Sequence, residues 1–326
     1  MRQVLVTGGG GYVGAMLVPT LLKEGYGVTV VDLFIYGDDV LDPHPALRCV
    51  TGDIRDVEML QRELVGMTDV IHLACISNDP SFELNPGLGR SINLDAFEPL
   101  VIASRDAGVS RFIYASSSSV YGIKEVPDVT EDMALHPLTD YSRFKAQCEE
   151  ILSAYQSPSF TTVTIRPATV CGYSRRQRLD VVVNILTNQA YHNREVTILG
   201  GDQLRPNIHI ADMVDAYLVL LAAEPATIAG CIYNAGYENQ SVRAIADEVR
   251  SVIGDDVRIV RKESNDNRSY HISSARIFDE LGFKATRTIS DAVRDLKHAF
   301  DADLLPDSLA NERYFNIKRM QSIDLQ

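Results

Sequence analysis

Tyr141 and Lys145 stand four residues apart in the segment Tyr-Ser-Arg-Phe-Lys, a spacing that puts a phenol and an ammonium on one face of a helix. A free tyrosine, with a pKa of about 10, is a poor base at neutral pH, and a fixed cation beside it favours the phenolate and lowers that value. The pair is suited to shuttle a proton in alcohol oxidation or ketone reduction. On its own it is weak, because surface helices offer such pairs by chance. It gains weight from Ala-Ser-Ser-Ser-Ser-Val-Tyr-Gly at 115–122, which follows the apolar run at 111–114. A hydroxyl at the C-terminal end of a strand lies where doubly wound sheets bind ligands, and it can hold a reacting oxygen. A third feature, Thr-Gly-Gly-Gly-Gly-Tyr-Val-Gly at 7–14, follows one apolar run and opens a helical pattern. Its glycines parse as G-x-G-x-x-G (Gly9, Gly11, Gly14) or as G-x-x-G-x-x-G (Gly8, Gly11, Gly14). Either way the backbone can turn tightly and approach a pyrophosphate, which the positive end of the helix attracts. Asp32 closes the next apolar run. A carboxylate there accepts hydrogen bonds from a ribose diol and repels the extra phosphate of NADP, so the pattern favours NAD, which takes the hydride. Asp53, in Gly52-Asp53-Ile54, is placed either for the adenine amino group or as an ordinary turn residue.

These residues need a scaffold. Apolar runs at 4–6, 28–31, 70–73, 111–114 and 162–165 alternate with helical patterns, such as Leu17, Leu21 and Leu22 on one face. Val- and Ile-rich strands separated by helices imply βαβ units and a parallel sheet covered on both sides. With right-handed crossovers the expected fold is α/β: a doubly wound parallel sheet of Rossmann type with a smaller mixed C-terminal substrate lobe. In the second half the patterning predicts helices over 180–190, 213–223, 241–253 and 289–300, and strands at 196–199 and 232–234. The expected domains are an NAD-binding domain at 1–173, rejoined by about 207–236, and a substrate-binding lobe at 174–206 and 237–326. The tail from Asp301 carries no clear pattern.

Composition excludes several function classes. A net charge of −13 over 326 residues repels phosphate backbones, which argues against a nucleic-acid partner. The five cysteines (Cys49, Cys75, Cys148, Cys171 and Cys231) are scattered, with no C-x-x-C pair and no zinc spacing. The expectation is free thiols in the cytoplasm and no metal. The N-terminus lacks a signal core, and no apolar run is long enough to span a membrane.

Together the glycine loop, Asp32, Gly52-Asp53, His72-Leu73-Ala74, the serine run ending in Val-Tyr-Gly, the Tyr141–Lys145 pair and Arg166-Pro167 resemble the extended short-chain dehydrogenase/reductase family. Within it the chain resembles the NAD-dependent epimerase/dehydratase group, which modifies nucleotide sugars. The likeness runs from about residue 2 to about residue 300. It implies Tyr141 as general base, Lys145 as its partner on the nicotinamide ribose, and Ser117 as the catalytic hydroxyl. It implies NAD held by Gly8, Gly11, Tyr12, Val13, Gly14, Asp32, Asp53 and Ile54, with Leu73 and Ala74 beside it and Tyr141 and Lys145 also in contact with it. Arg205, in Arg-Pro-Asn-Ile-His-Ile, and Arg268, in Asp-Asn-Arg, resemble the family's two arginines for the substrate diphosphate, a role that suits the guanidinium fork. Ser118, Arg178 and Asn184 are the other substrate-binding candidates; Arg176, Arg178, Asp180 and Asn184 resemble a polar segment of nucleotide-sugar and nucleotide-heptose C4 oxidoreductases. Two departures matter. Ser118 and Ser119 replace the Asp and Glu of the dehydratases, so no evident group eliminates water, and Thr169 stands where many members have a substrate-contacting Asn.

The resemblance implies an NAD-dependent nucleotide-sugar epimerase or C4 oxidoreductase acting through a 4-keto sugar, and a homodimer packed through helices near 94–107 and 141–155. Two other readings compete. A reductase of a non-nucleotide carbonyl compound fits poorly with Arg205 and Arg268, and a non-catalytic NAD-sensing regulator has little use for Ser117, Tyr141 and Lys145 together. The nucleotide base, the sugar and the stereochemical outcome are not legible, since a few pocket contacts decide them.

Overall fold

The computed structural model describes residues 2–124, 126, 128–263 and 271–325. Six strands come first, β1 (Gln3–Thr7), β2 (Gly27–Asp32), β3 (Leu47–Thr51), β4 (Asp69–His72), β5 (Arg111–Ala115) and β6 (Thr161–Pro167), with helices in every interval but that between β2 and β3. They are followed by β7 (Thr169–Cys171), β8 (Glu195–Leu199), β9 (Leu204–His209), β10 (Cys231–Ala235), β11 (Glu238–Ser241) and β12 (Arg258–Lys262). The main sheet has seven strands in the order β10-β6-β5-β4-β1-β2-β3, and every neighbouring pair is parallel. From β1 the chain first winds outward through β2 and β3, then restarts at β4 and winds the other way. The order reverses between β1 and β4, and the crevice at the carboxyl ends of those strands is where such sheets take ligands.

The central strands read as unbroken apolar runs because both faces are covered. Val4 and Val6 of β1 face the cluster that includes Leu17 and Leu21 of the helix Gly14–Lys23 and Leu220 of the helix Ile210–Ala222. Leu5, between them, faces the opposite cluster with Leu60, Leu100 and Leu152. Those three leucines lie on the helices Val57–Glu63, Phe97–Asp106 and Asp140–Ala154. The edge strand β3 exposes Arg48 and Cys49, and its sequence is correspondingly mixed.

After β6 the chain enters the second lobe. There β11, β9 and β7 form a three-stranded sheet and β12 pairs with β8. The helices Val182–Asn193, Val242–Ile253 and Ile289–Asp301 pack around Val183, Ile245 and Val293. They match the expected amphipathic patterns to within a few residues, and local chemistry sets their ends. Ser241 accepts the Ala244 N–H at 3.1 Å, and Thr288 with Asp291 forms a capping box. β10 returns to the main sheet beside β6. The tail, patternless in sequence, forms a 3-10 turn at Glu312–Tyr314 and a helix at Asn316–Ser322. Among the described residues no helix is long and apolar enough to cross a membrane.

Candidate active site

A cleft of about 510 Å³ opens at the carboxyl ends of β1, β4 and β5, between the main sheet and the second lobe. The glycine loop forms its floor. Gly8 has φ +76°, and a Cβ there would lie 2.6 Å from the Ala74 nitrogen. A Cβ on Gly14 would lie 2.5 Å from the Gly9 carbonyl. Only glycine allows this turn. Gly11 differs: its Cβ would meet just the Gly8 carbonyl within 4 Å, so the loop is bare at that position. No side chain caps the helix Gly14–Lys23 that follows, which leaves its positive end to an anionic ligand. Asp32 accepts the Gly10 N–H at 2.9 Å and the Phe34 N–H at 2.7 Å. Burial pushes its carboxyl up, against the pull of those amides and of Arg176. This bare loop, uncapped helix and carboxylate fit a dinucleotide. Tyr12, Val13, Ile54, Leu73 and Ala74 line the same cleft. Asp53 also lines it, paired with Arg55 at 2.6 Å.

The chemical groups converge from two elements. β5 delivers the serine run at its carboxyl end. Ser116 turns away to donate to Glu149. Ser117 accepts the Ser119 N–H at 3.1 Å and lines the same cleft as the Tyr141 phenol, whose ionisation it favours. Ser118 is buried at the cleft wall. Tyr141 comes from the first turn of the helix Asp140–Ala154, whose start is fixed by the Thr139–Ser142 capping box. One turn on, Lys145 donates to the Ala115 carbonyl at 2.6 Å, with its Nζ 5.9 Å from the centre of the Tyr141 ring.

One expectation is corrected here. The Tyr141 phenol is pushed up, not down. Burial is the largest cause, and Cys75 and Asp79 add to it, while Arg178 and Ser117 act the other way. The Lys145 ammonium is committed to the Ala115 carbonyl and does not reverse the effect of burial.

A buried network holds these elements in register. Arg166, on β6, donates to Glu149 at 2.6 Å and to the Tyr121 hydroxyl at 2.7 Å, and Tyr121 donates to Asn234 of β10 at 2.7 Å. The strand-end Arg-Pro and the Val-Tyr-Gly segment are thus parts of one device that fixes the serine run against the Tyr141 helix.

The second lobe supplies the roof. Arg178 pairs with Asp180 at 2.6 Å, and its Nη2 is buried without a hydrogen-bond partner among the described residues. Arg205, on β9, reaches the cleft. Asn184 does not. It is fully buried, donating to the Tyr12 hydroxyl at 3.0 Å and the Arg178 carbonyl at 2.8 Å and accepting the Gly172 N–H at 3.0 Å. Its amide is used up in holding the two lobes together. Arg268 lies outside the described residues. Sequence reasoning passed over Asp79, a buried carboxylate in the cleft that accepts from Thr139 at 2.5 Å, and Asn316, Met320 and Leu325 of the tail. Only the turn dipeptide Asp79-Pro80 gave a local signal, that of a helix start.

The comparisons bear on this geometry. Residues 4–236 match the model of the NAD dependent epimerase/dehydratase family. The chain belongs to that family. It is similar to a UDP-glucose 4-epimerase of Corynebacterium glutamicum, 27% identical over 88% of this chain and 92% of that protein. It is also similar to a dTDP-glucose 4,6-dehydratase of Streptomyces griseus, 28% identical over 89% of this chain and 92% of that protein. Among solved structures, MoeE5 in complex with UDP-glucuronic acid and NAD superposes with a TM-score of 0.80 and 27% identity, covering 92% of this chain and 99% of that one. The nucleotide-sugar group of extended short-chain dehydrogenases is thereby the right family, the α/β fold is the expected one, and NAD is the family's cofactor.

Proposed function

We propose that this protein is a nucleotide-sugar epimerase or C4 oxidoreductase that works through a 4-keto sugar. The observation that carries the reading is the meeting of Ser117 and Tyr141 in a cleft floored by the glycine loop. NAD would lie on that loop with its diphosphate at Gly11–Val13 and its ribose on Asp32, and it supplies a reversible hydride acceptor. In its phenolate form the Tyr141 oxygen accepts the proton of the sugar C4 hydroxyl as the hydride leaves C4, and the resulting phenol returns that proton when the hydride comes back; Ser117 hydrogen-bonds the same sugar oxygen. Lys145, anchored on Ala115, holds positive charge behind the phenol. Arg178 and Arg205, both at the cleft, suit the diphosphate of the sugar nucleotide. Ser118 and Ser119 bring hydroxyls where an elimination would need acids, which favours outcomes without loss of water. The names of the similar proteins carry UDP- and dTDP-sugars, which supports a nucleoside diphosphate as the substrate's handle.

The test is thermal stabilisation of the purified protein by UDP, GDP, dTDP, CDP and ADP, each with NAD present. A ligand of the native state at one hundred times its Kd adds about 2.7 kcal/mol and raises the melting temperature. A shift with one nucleotide is expected and would direct the assay of its sugars. No shift with any of them, in protein that binds NAD, would favour the reductase of a non-nucleotide carbonyl.

A further inference from the structure

We propose that the C-terminal segment 311–325 is part of the cofactor site: it straps the loop after β2 to the second lobe and keeps NAD in the cleft from one turnover to the next. The segment starts on the second lobe, where the Tyr314 carbonyl accepts the Leu179 N–H at 2.8 Å. It then grips the loop that follows Asp32. Arg313 donates to the Tyr36 carbonyl at 2.7 Å and pairs with Asp39, and Arg319 donates to the Ile35 carbonyl. That loop adjoins the carboxylate placed for the cofactor's ribose.

Asn316 is the knot. Its backbone N–H donates to Asp180 at 2.9 Å, its side-chain oxygen accepts from Arg176 at 2.6 Å, and its side-chain nitrogen donates to the Ser77 hydroxyl at 3.0 Å. It is 3% exposed. One residue therefore ties the tail, the second lobe and the segment after β4. Arg176 extends the tie. Its guanidinium lies 3.5 Å over the Tyr36 ring, its charge is felt at Asp32, and its Nε is buried with no hydrogen-bond partner among the described residues. Met320 and Leu325 line the same cleft as Gly11 and Asp32.

These bonds join elements on either side of the cleft, and several must break together before those elements can part. A retained cofactor suits a reaction in which the hydride goes out and back with no net redox. The inference rests on NAD as cofactor and not on which sugar reaction is run.

The experiment uses the full chain and two variants. Arg313→Ala with Arg319→Ala removes the grip on the loop after β2, and Asn316→Ala removes the links to Arg176 and Ser77. NAD content after desalting is read by chromatography of the denatured protein. Release is followed by loss of NADH fluorescence on chasing with excess NAD. The wild type is expected to leave the column carrying NAD, and each variant to release NADH at least tenfold faster while keeping its far-ultraviolet circular dichroism. Equal release rates in folded variants and wild type would overturn the strap and leave the cofactor assignment standing. A wild type that neither carries nor takes up NAD would overturn both.

Discussion

Tyr141 lies where burial, Cys75 and Asp79 oppose its ionisation, and where Ser117 and Arg178 favour it. Ser117 and Arg178 are thus the groups of the chain that favour the phenolate a base requires, against the effect of burial. Replacing Tyr141 with Phe keeps the ring and its packing and removes the one atom that can exchange a proton. Turnover should fall by about 10²–10⁴-fold, the usual contribution of a general acid–base group. The NAD content should stay close to that of the wild type. Steady-state rates on the responsive sugar nucleotide check this, and an undiminished rate would take Tyr141 out of the chemistry.

The elements that present Ser117 and Tyr141 are joined by the buried pair of Arg166 and Glu149, with side chains 3% and 4% exposed. β6, β10, the serine run and the helix Asp140–Ala154 all meet there. Glu149→Ala would leave a guanidinium buried without its counter-charge and the Ser116 hydroxyl without its acceptor. Breaking one side of such a pair costs about 3–5 kcal/mol. Chemical denaturation should show a midpoint lowered to match, and a midpoint within error of the wild type would mean that water or another acceptor replaces the carboxylate. The central strands were legible because a parallel strand covered on both faces must be apolar throughout. β7, β9 and β11 were not, since they carry polar residues such as Thr169, Asn207 and Glu238 in place of an unbroken apolar run.

Stability of the whole molecule carries a pH signature from the sheet's centre. His72 is packed among Phe97, Phe112 and Tyr114, and its Nδ1 meets the Thr7 hydroxyl at 2.7 Å. Burial, with the Lys145 charge second, lowers its imidazole to about 3. The folded chain holds it neutral, and the unfolded chain takes up a proton below about 6.5. Its contribution to stability is therefore complete above that pH and is lost as the pH falls toward 3. At ~1.4 kcal/mol per pKa unit the loss amounts to several kcal/mol. Melting temperatures measured from pH 7.5 down to 4 should fall more steeply for the wild type than for His72→Asn, which keeps a polar atom for Thr7 and cannot titrate. Parallel curves would show that His72 does not drive the acid loss.

What the sequence determined by itself is what the chain encodes over short spans. The glycine turn, its helix and Asp32 lie within the first 32 residues, Tyr141 and Lys145 share one helix face, and Ser117 follows a strand directly. Their geometry comes from backbone preference and helical period, which are properties of local sequence. Only the tertiary structure decided how residues far apart meet. Asn184 is drawn inward because Tyr12, 172 residues away, offers it a hydroxyl, and Arg176 finds Asn316 across 140 residues. Asp79 reaches the cleft through Thr139, 60 residues on. Such pairings depend on where two lobes and a tail come to rest, and that is set by the burial of the whole core rather than by any pattern near the residues themselves.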